Sequence, residues 1–133
     1  MSNITQVVNT DKNMTTLKKG VHASDLDQLL SSTGPYTFFA PSNHAFEKLA
    51  SGTMEKLLEP ENKLALTSLL SHHILQGKIN TKDLNDGDKL KTLDGKELMV
   101  TITGKEVRVD GALIENSDMK TTNGVMHSVD TVL

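Results

Sequence analysis

The sequence predicts an α+β fold made by one domain over residues 1–133, and three observations lead there. Before Gly77, apolar residues recur at helical spacing. After it, short runs of alternating apolar and polar residues lie between Asp-Gly pairs, the pattern of an antiparallel meander. No Ser/Gly linker and no repeat separates the halves, so they belong to one core.

In the first half, Met14, Leu17 and Val21 share one helical face, and Leu26, Leu29 and Leu30 share another. Ser24 is expected to cap the second of these helices, with Asp25 and Asp27 in its first turn, and Gly34-Pro35 to stop it. Tyr36–Ala40 reads as a buried strand that Pro41 ends. Ser42 then caps a short helix that buries Ala45, Phe46 and Leu49. Thr53 is placed as a cap for Met54–Leu58, and Pro60 fits a first helical turn. Leu64, Leu66, Leu69 and Leu70 predict one apolar stripe over 63–71. Thr81 is expected to cap a single turn around Asp83 and Leu84.

In the second half, Asp86-Gly87, Asp94-Gly95 and Asp110-Gly111 are expected in type I′ turns between strands at 89–93, 97–103 and 106–109. Glu115–Asp118 is polar and turn-prone, so 114–122 is expected as a surface segment. Asn123-Gly124 leads into a final strand over 125–133, with Val125, His127 and Val129 on one face.

Composition closes several function classes. There is no cysteine, which removes disulfide frameworks, thiolate nucleophiles and Cys-type zinc sites. Net charge is −3 with the signs interspersed, and only 3% of residues are aromatic, so neither a basic footprint nor a stacking platform for nucleic acid is visible. No apolar run approaches the ~20 residues of a membrane span, and the polar start Met1–Gln6 lacks a signal-peptide core. The sequence therefore reads as a cytosolic protein or as a mature secreted domain. The six methionines are scattered and read as core filler, and the glycines stand singly in turns, without a phosphate-cradling loop or any sign of a cofactor.

His127, Ser128 and Asp130 are the residue types of a hydrolytic triad, but adjacent strand residues face opposite ways, and no Gly-x-Ser-x-Gly elbow exists. His72 and His73 are adjacent, without a His-x-x-x-His pair to converge on a metal. His73 is expected inside with its ring hydrogen-bonded, and His72 near solvent. His127 is expected inside as well, without a metal, bonded to a polar group near the Thr37–Phe46 segment. Asn43, just past the Pro41 corner, is expected to bond backbone groups.

Three segments resemble a known family. Thr37–Phe46, with its Phe39-Ala40-Pro41-Ser42-Asn43 centre, is similar to the first signature box of fasciclin-type (FAS1) domains. Asn123-Gly124-Val125-Met126-His127-Ser128-Val129-Asp130 is similar to the second, and Leu69–Gly77 to the helix-to-strand segment between them. The order and spacing agree over nearly the whole chain. The resemblance implies a wedge of two small, mainly antiparallel β-sheets, with several helices packed from the N-terminal half. It also implies an extracellular or surface-anchored adhesion or matrix module with no typical catalytic activity. Thr37, Phe39, Pro41, Asn43, Phe46, Asn123, Gly124 and His127 would then hold the fold. A Tyr-His pair associated with integrin recognition in animal members falls here on His72 and His73, so the tyrosine is replaced. An Asp-Ile pair before the second box falls on Asp118 and Met119, where the acid is kept.

The leading expectation is thus a monomeric, non-enzymatic binding module for a cell-surface or matrix protein, with contacts at Asp118-Met119 or His72-His73. The alternative is a structural cell-wall or biofilm domain that binds polysaccharide, although such sites commonly use exposed aromatics and this chain has few. A hydrolase using His72, His73 or His127 ranks last, because catalysis needs convergent polar groups in a cleft.

Overall fold

The computed structural model describes residues 3–49 and 52–132. Met1, Ser2 and Leu133, which enter the expectations above, lie outside the described residues. Among the described residues, six α-helices come from the N-terminal half: α1 (Ile4–Thr10), α2 (Thr15–Ala23), α3 (Leu26–Leu30), α4 (Asn43–Glu47), α5 (Thr53–Leu57) and α6 (Lys63–Ser71). Asn3 starts α1 with a capping box, its side chain accepting from Gln6 N while the Gln6 side chain accepts from Asn3 N. Ser42 caps α4 through Ala45 N, as its sequence predicts.

Seven strands among the described residues follow one ladder in the order β2 (Ile74–Gln76), β1 (Tyr36–Pro41), β7 (Gly124–Val129), β6 (Ala112–Thr121), β5 (Glu106–Val109), β4 (Glu97–Thr103) and β3 (Lys89–Lys91). Every pair is antiparallel except β1 with β7, which run parallel in register from Tyr36↔Gly124 to Pro41↔Val129. The ladder bends at β6, where the register shifts twice between Ile114 and Met119. The tip of the β3–β4 hairpin then returns to the opposite edge, and Leu93 N donates to Ile74 O of β2 at 2.9 Å. The two sheets expected from the resemblance are therefore joined through β6 into a nearly closed barrel.

Alternation along the central strands divides the interior in two. Tyr36, Phe38 and Ala40 of β1, Ile74 of β2 and Met126 of β7 face the helices, where they meet Ile4, Leu17, Val21, Leu66 and Leu70. Phe39 of β1, Leu75 of β2 and Val129 of β7 face the barrel interior with Leu98, Val109 and Ala112. Both faces of β1 and β7 are buried, which is why β1 reads as an apolar run and not as an alternating one, while β7 buries the polar His127 and Ser128 among its apolar residues.

The start of the β1–β7 seam is set by Asn123 and Gly124. The Asn123 amide donates to Leu30 O at 2.6 Å and Ser32 O at 2.8 Å, and its oxygen accepts from Ile4 N at 3.1 Å. One buried side chain thus satisfies the end of α3 and the start of α1 while its own carbonyl accepts from Tyr36 N at 2.9 Å. Gly124 passes so close to β1 that a Cβ there would sit 1.9 Å from Tyr36 O.

Several local expectations are corrected. Ser24 ends α2, its hydroxyl donating to Val21 O, and α3 begins after Asp25 in a left-handed conformation without a side-chain cap. Leu64 is 85% exposed, because two residues' rotation puts it opposite Leu66 on α6. The Thr81–Asp83 turn is preceded by Asn80, whose N–H donates to the Asp83 carboxylate, so Thr81 is not its cap. Only Asp110-Gly111 has positive φ at both residues, as a type I′ turn needs; at the other two Asp-Gly pairs glycine alone does. The 114–122 segment is exposed as expected at Glu115, Asn116, Ser117 and Lys120, but it forms most of β6 and not a turn, a strand whose bulges accommodate its polar residues. Met14 and Met126 are core as expected, whereas Met99 is half exposed.

Phe46 is 6% exposed against the helical core. Phe46→Ala is expected to cost about 3–5 kcal/mol in a urea melt. Gly124→Ala should cost about 3 kcal/mol, because the clash is with backbone and cannot be relieved by a rotamer change. Either variant melting within about 0.5 kcal/mol of wild type would contradict this packing.

Candidate functional site

The segment 77–83 crosses one end of the barrel, and both signature segments hold it there. Thr37, fully buried in β1, donates its hydroxyl to Gly77 O at 2.7 Å and accepts from Ile79 N at 2.8 Å. His127, fully buried in β7, meets Ile79 O with Nε2 at 2.8 Å and accepts from Asp118 N with Nδ1 at 3.0 Å. Because Nδ1 faces an N–H, the proton must sit on Nε2, and the ring is a neutral bridge between the loop and β6. Its ring stacks on Phe39 at 5.5 Å between centroids and 29° between planes. Its polar partners are therefore Ile79 and Asp118; Ile79 is itself bonded to Thr37, so this contact lies beside the first signature segment as expected, and Phe39 of that segment stacks on the ring.

Asp118 completes the arrangement. It has φ of 56°, a left-handed conformation that an aspartate adopts more readily than most residues, and this turns its side chain toward the loop. Its carboxylate accepts from Thr81 N at 2.8 Å and Thr81 Oγ1 at 2.6 Å. Partial burial pushes its carboxyl up, but the two Thr81 bonds and the nearby His127 and Lys82 bring it below the usual aspartate value. Around it, Lys78, Asn80, Lys82 and Lys120 complete a cleft of about 310 Å³. Met119 points the other way and packs partly buried on the helical core. The two residues of the expected contact pair thus serve different sides of β6.

His73 is fully buried at the end of α6, with Nδ1 at 2.8 Å from Leu69 O. Burial lowers its pKa to about 4, against the opposing effect of the Leu69 carbonyl. His72 lies nearer the surface and edge-on to His73, 3.3 Å from the Asp94 carboxylate. Asp94 also accepts from Thr92 Oγ1 and Lys96 N, so this acid organises the β3–β4 hairpin. Burial raises the Asp94 carboxyl and those bonds more than offset it, leaving it low. The placement of both histidines follows the sequence expectation. His22 and His44 lie elsewhere, beside Asn9 and Glu47. Among the described residues no group of three metal-ligating side chains converges.

Asn43 behaves as expected: its oxygen accepts from Thr16 N at 3.0 Å, and its amide donates to Lys12 O and Thr15 Oγ1. It joins the Pro41 corner to the α2 start. Ser128 faces a separate cleft with Asn13, Asn43, His44, Glu115 and Asn116, on the far side of β7 from the His127 ring. His127 therefore has no free nitrogen and no line to Ser128. Sequence reasoning missed Thr81 as the partner of Asp118, and it missed the three lysines. Spacing offers no signal for them, since Lys82 stands in the Thr81–Asp83 turn and not on an extended segment with Lys78.

The two buried histidines fix the sign of the pH response. Both have pKa values lowered by burial, so the unfolded chain binds protons that the folded chain refuses. Their contribution is intact above about pH 6.5 and is lost as pH falls through that value toward 4. For His73 alone this amounts to about 2 kcal/mol between pH 7 and pH 5. Urea midpoints measured across that range should fall accordingly, and His73→Gln should flatten the slope. A wild-type midpoint that is constant from pH 7 to pH 5 would contradict the buried, neutral state of these rings.

Comparison with known proteins agrees with the geometry. A family model described as the Fasciclin domain matches residues 12–133. Protein sll1483 of Synechocystis is 38% identical over 98% of this chain and 72% of its own length. The transforming growth factor-beta-induced protein ig-h3 of Sus scrofa is 39% identical over 99% of the chain, and human periostin 29% over 99%. The chain spans only 19% and 16% of those two proteins. A FAS1 domain pair from the insect cell adhesion molecule Fasciclin I has the same fold, with a TM-score of 0.88 at 19% identity, over 99% of this chain and 50% of that one. The chain belongs to the fasciclin domain family.

Proposed function

We propose that this chain is an extracellular or cell-surface module that mediates adhesion or matrix association by binding, without catalysing a reaction. The observation that carries this reading is the ordered rim around Asp118. Its backbone is fixed by buried His127 and its carboxylate by Thr81, while the surrounding Lys78, Lys82 and Lys120 are exposed. Such a surface offers polar groups already held in place, which lowers the entropy lost on binding. Membership of the fasciclin family supports the reading, as does a structural relative named as a cell adhesion molecule. Among the described residues no helix is long and apolar enough to cross a membrane. The partner is a cell-surface or matrix component, a protein or a polysaccharide, that meets the Asp118 rim, with Met119 supporting the strand from behind.

A second surface is His72 with the β3–β4 hairpin, where Leu93 is 37% exposed. It ranks below the Asp118 rim because the His72 side chain is 17% exposed against 38% for Asp118.

The test is adhesion of the domain to its native surface or matrix, with Asp118→Asn against wild type. Asparagine keeps an acceptor for Thr81 N and removes the charge, so the fold should hold. Adhesion should weaken about fivefold or more, the range of losing a charged contact at an interface. Unchanged adhesion by the folded variant would remove Asp118 from the contact, and loss of adhesion on His72→Ala alone would place it at the hairpin.

A further inference from the structure

We propose that the cleft lined by Lys78, Asn80, Lys82, Asp118 and Lys120 binds the carboxylate groups of an acidic, uronate-bearing polysaccharide. The inference rests on the reading of the chain as a surface-association module and names what one face of it would hold.

Charge is the first argument. Three ammonium groups meet one carboxylate in this cleft, although the chain as a whole carries a net charge of −3. The local sign is thus opposite to the global one. Lys48, Lys63 and Arg108 are paired with Asp130, Asp25 and Glu106, whereas among the described residues none of the three cleft lysines is in an ion pair. The Asp118 carboxylate, the one negative group present, spends a lone pair of each oxygen on Thr81. The nearby Asp83 carboxylate is turned to Asn80 N at 3.1 Å. The positive field is therefore left facing outward, where it attracts anions.

Preorganisation is the second. Lys78 and Lys82 stand on a loop fixed at Ile79 by Thr37 and His127, and at Thr81 by Asp118. Lys120 stands on β6, paired through Val125 to β7. Two independent segments are thus locked at one spacing by buried hydrogen bonds, and only the lysine stems remain to be ordered by a ligand.

The chemical class follows from what else lines the cleft. No aromatic ring is present to stack a neutral sugar, and no apolar side chain is present to anchor a peptide. Asn80 and the remaining lone pairs of Asp118 suit hydroxyl groups beside the anion. A ligand with one carboxylate per ring and hydroxyls around it matches this set, and a chain of such rings would engage the three lysines together.

The experiment uses the whole chain and an oligogalacturonate, followed by titration calorimetry at about 0.01 M salt and repeated at about 0.15 M, where the Debye length shortens from about 30 to about 8 Å. Binding should be measurable at low salt and weaken at high salt. The triple variant Lys78→Ala, Lys82→Ala, Lys120→Ala should bind about tenfold more weakly, since each exposed charge contact is worth a few-fold. A control with the same charge change on α2 and α5, Lys18→Ala, Lys19→Ala, Lys56→Ala, should bind like wild type. Equal loss in both triple variants, or no loss in the first, would overturn the site. Binding of polyglutamate as tight as that of the oligogalacturonate would reassign the cleft to acidic peptides and overturn the saccharide class. Wild-type adhesion to the native matrix, measured alongside, separates the two ideas. Adhesion without uronate binding overturns this inference alone, whereas absence of both overturns the module reading as well.

Discussion

Six residue pairs join Tyr36–Pro41 to Gly124–Val129 in parallel, and each face of that seam carries one of the two cores. A parallel contact of this kind brings together backbones from nearly opposite ends of the chain, so something must hold its register. Gly124 does so by allowing the strands to approach more closely than any side chain would permit. Asn123 does so by saturating its amide with α1 and α3. The helices are consequently not an independent layer. Their ends are tied to the same residue that starts the seam.

From that seam the polar interior runs outward without a gap. Thr37 and His127 are on its two strands, and both reach the 77–79 segment; His127 continues to Asp118, and Asp118 to Thr81. Among the described residues no buried side-chain nitrogen or oxygen is left without a partner. A network of this kind rigidifies what it touches, since each bond is made in a low dielectric and breaking one orphans its neighbour. The signature segments thus act on the surface indirectly: they contribute few exposed atoms and fix the loop that does.

How far the sequence foretold this depends on the range of the forces involved. Helical stripes such as Met14, Leu17 and Val21 report burial directly, and so does the apolar run of β1. Glu115–Asp118 misled, because its turn-forming residues are held in a strand by pairing with β7 across two bulges. The inward placement of His127 was readable from its apolar neighbours, but its partners were not, since Ile79 lies 48 residues away and is met through backbone. Lys78, Lys82 and Lys120 converge only once β6 and the loop are brought side by side. No local pattern encodes that meeting.

The parallel seam also has a kinetic consequence. Its partners are separated by 88 residues, Tyr36 to Gly124, so the loop closed by their pairing is about two-thirds of the chain, and such non-local contacts form late. During synthesis Phe38 and Phe39 emerge long before the strand that covers them. The chain must carry an unpaired apolar edge until its last strand arrives, a state open to wrong pairing with other copies. A fold whose first core strand waits for its final one places a premium on chaperones, or on rapid completion, wherever it is made.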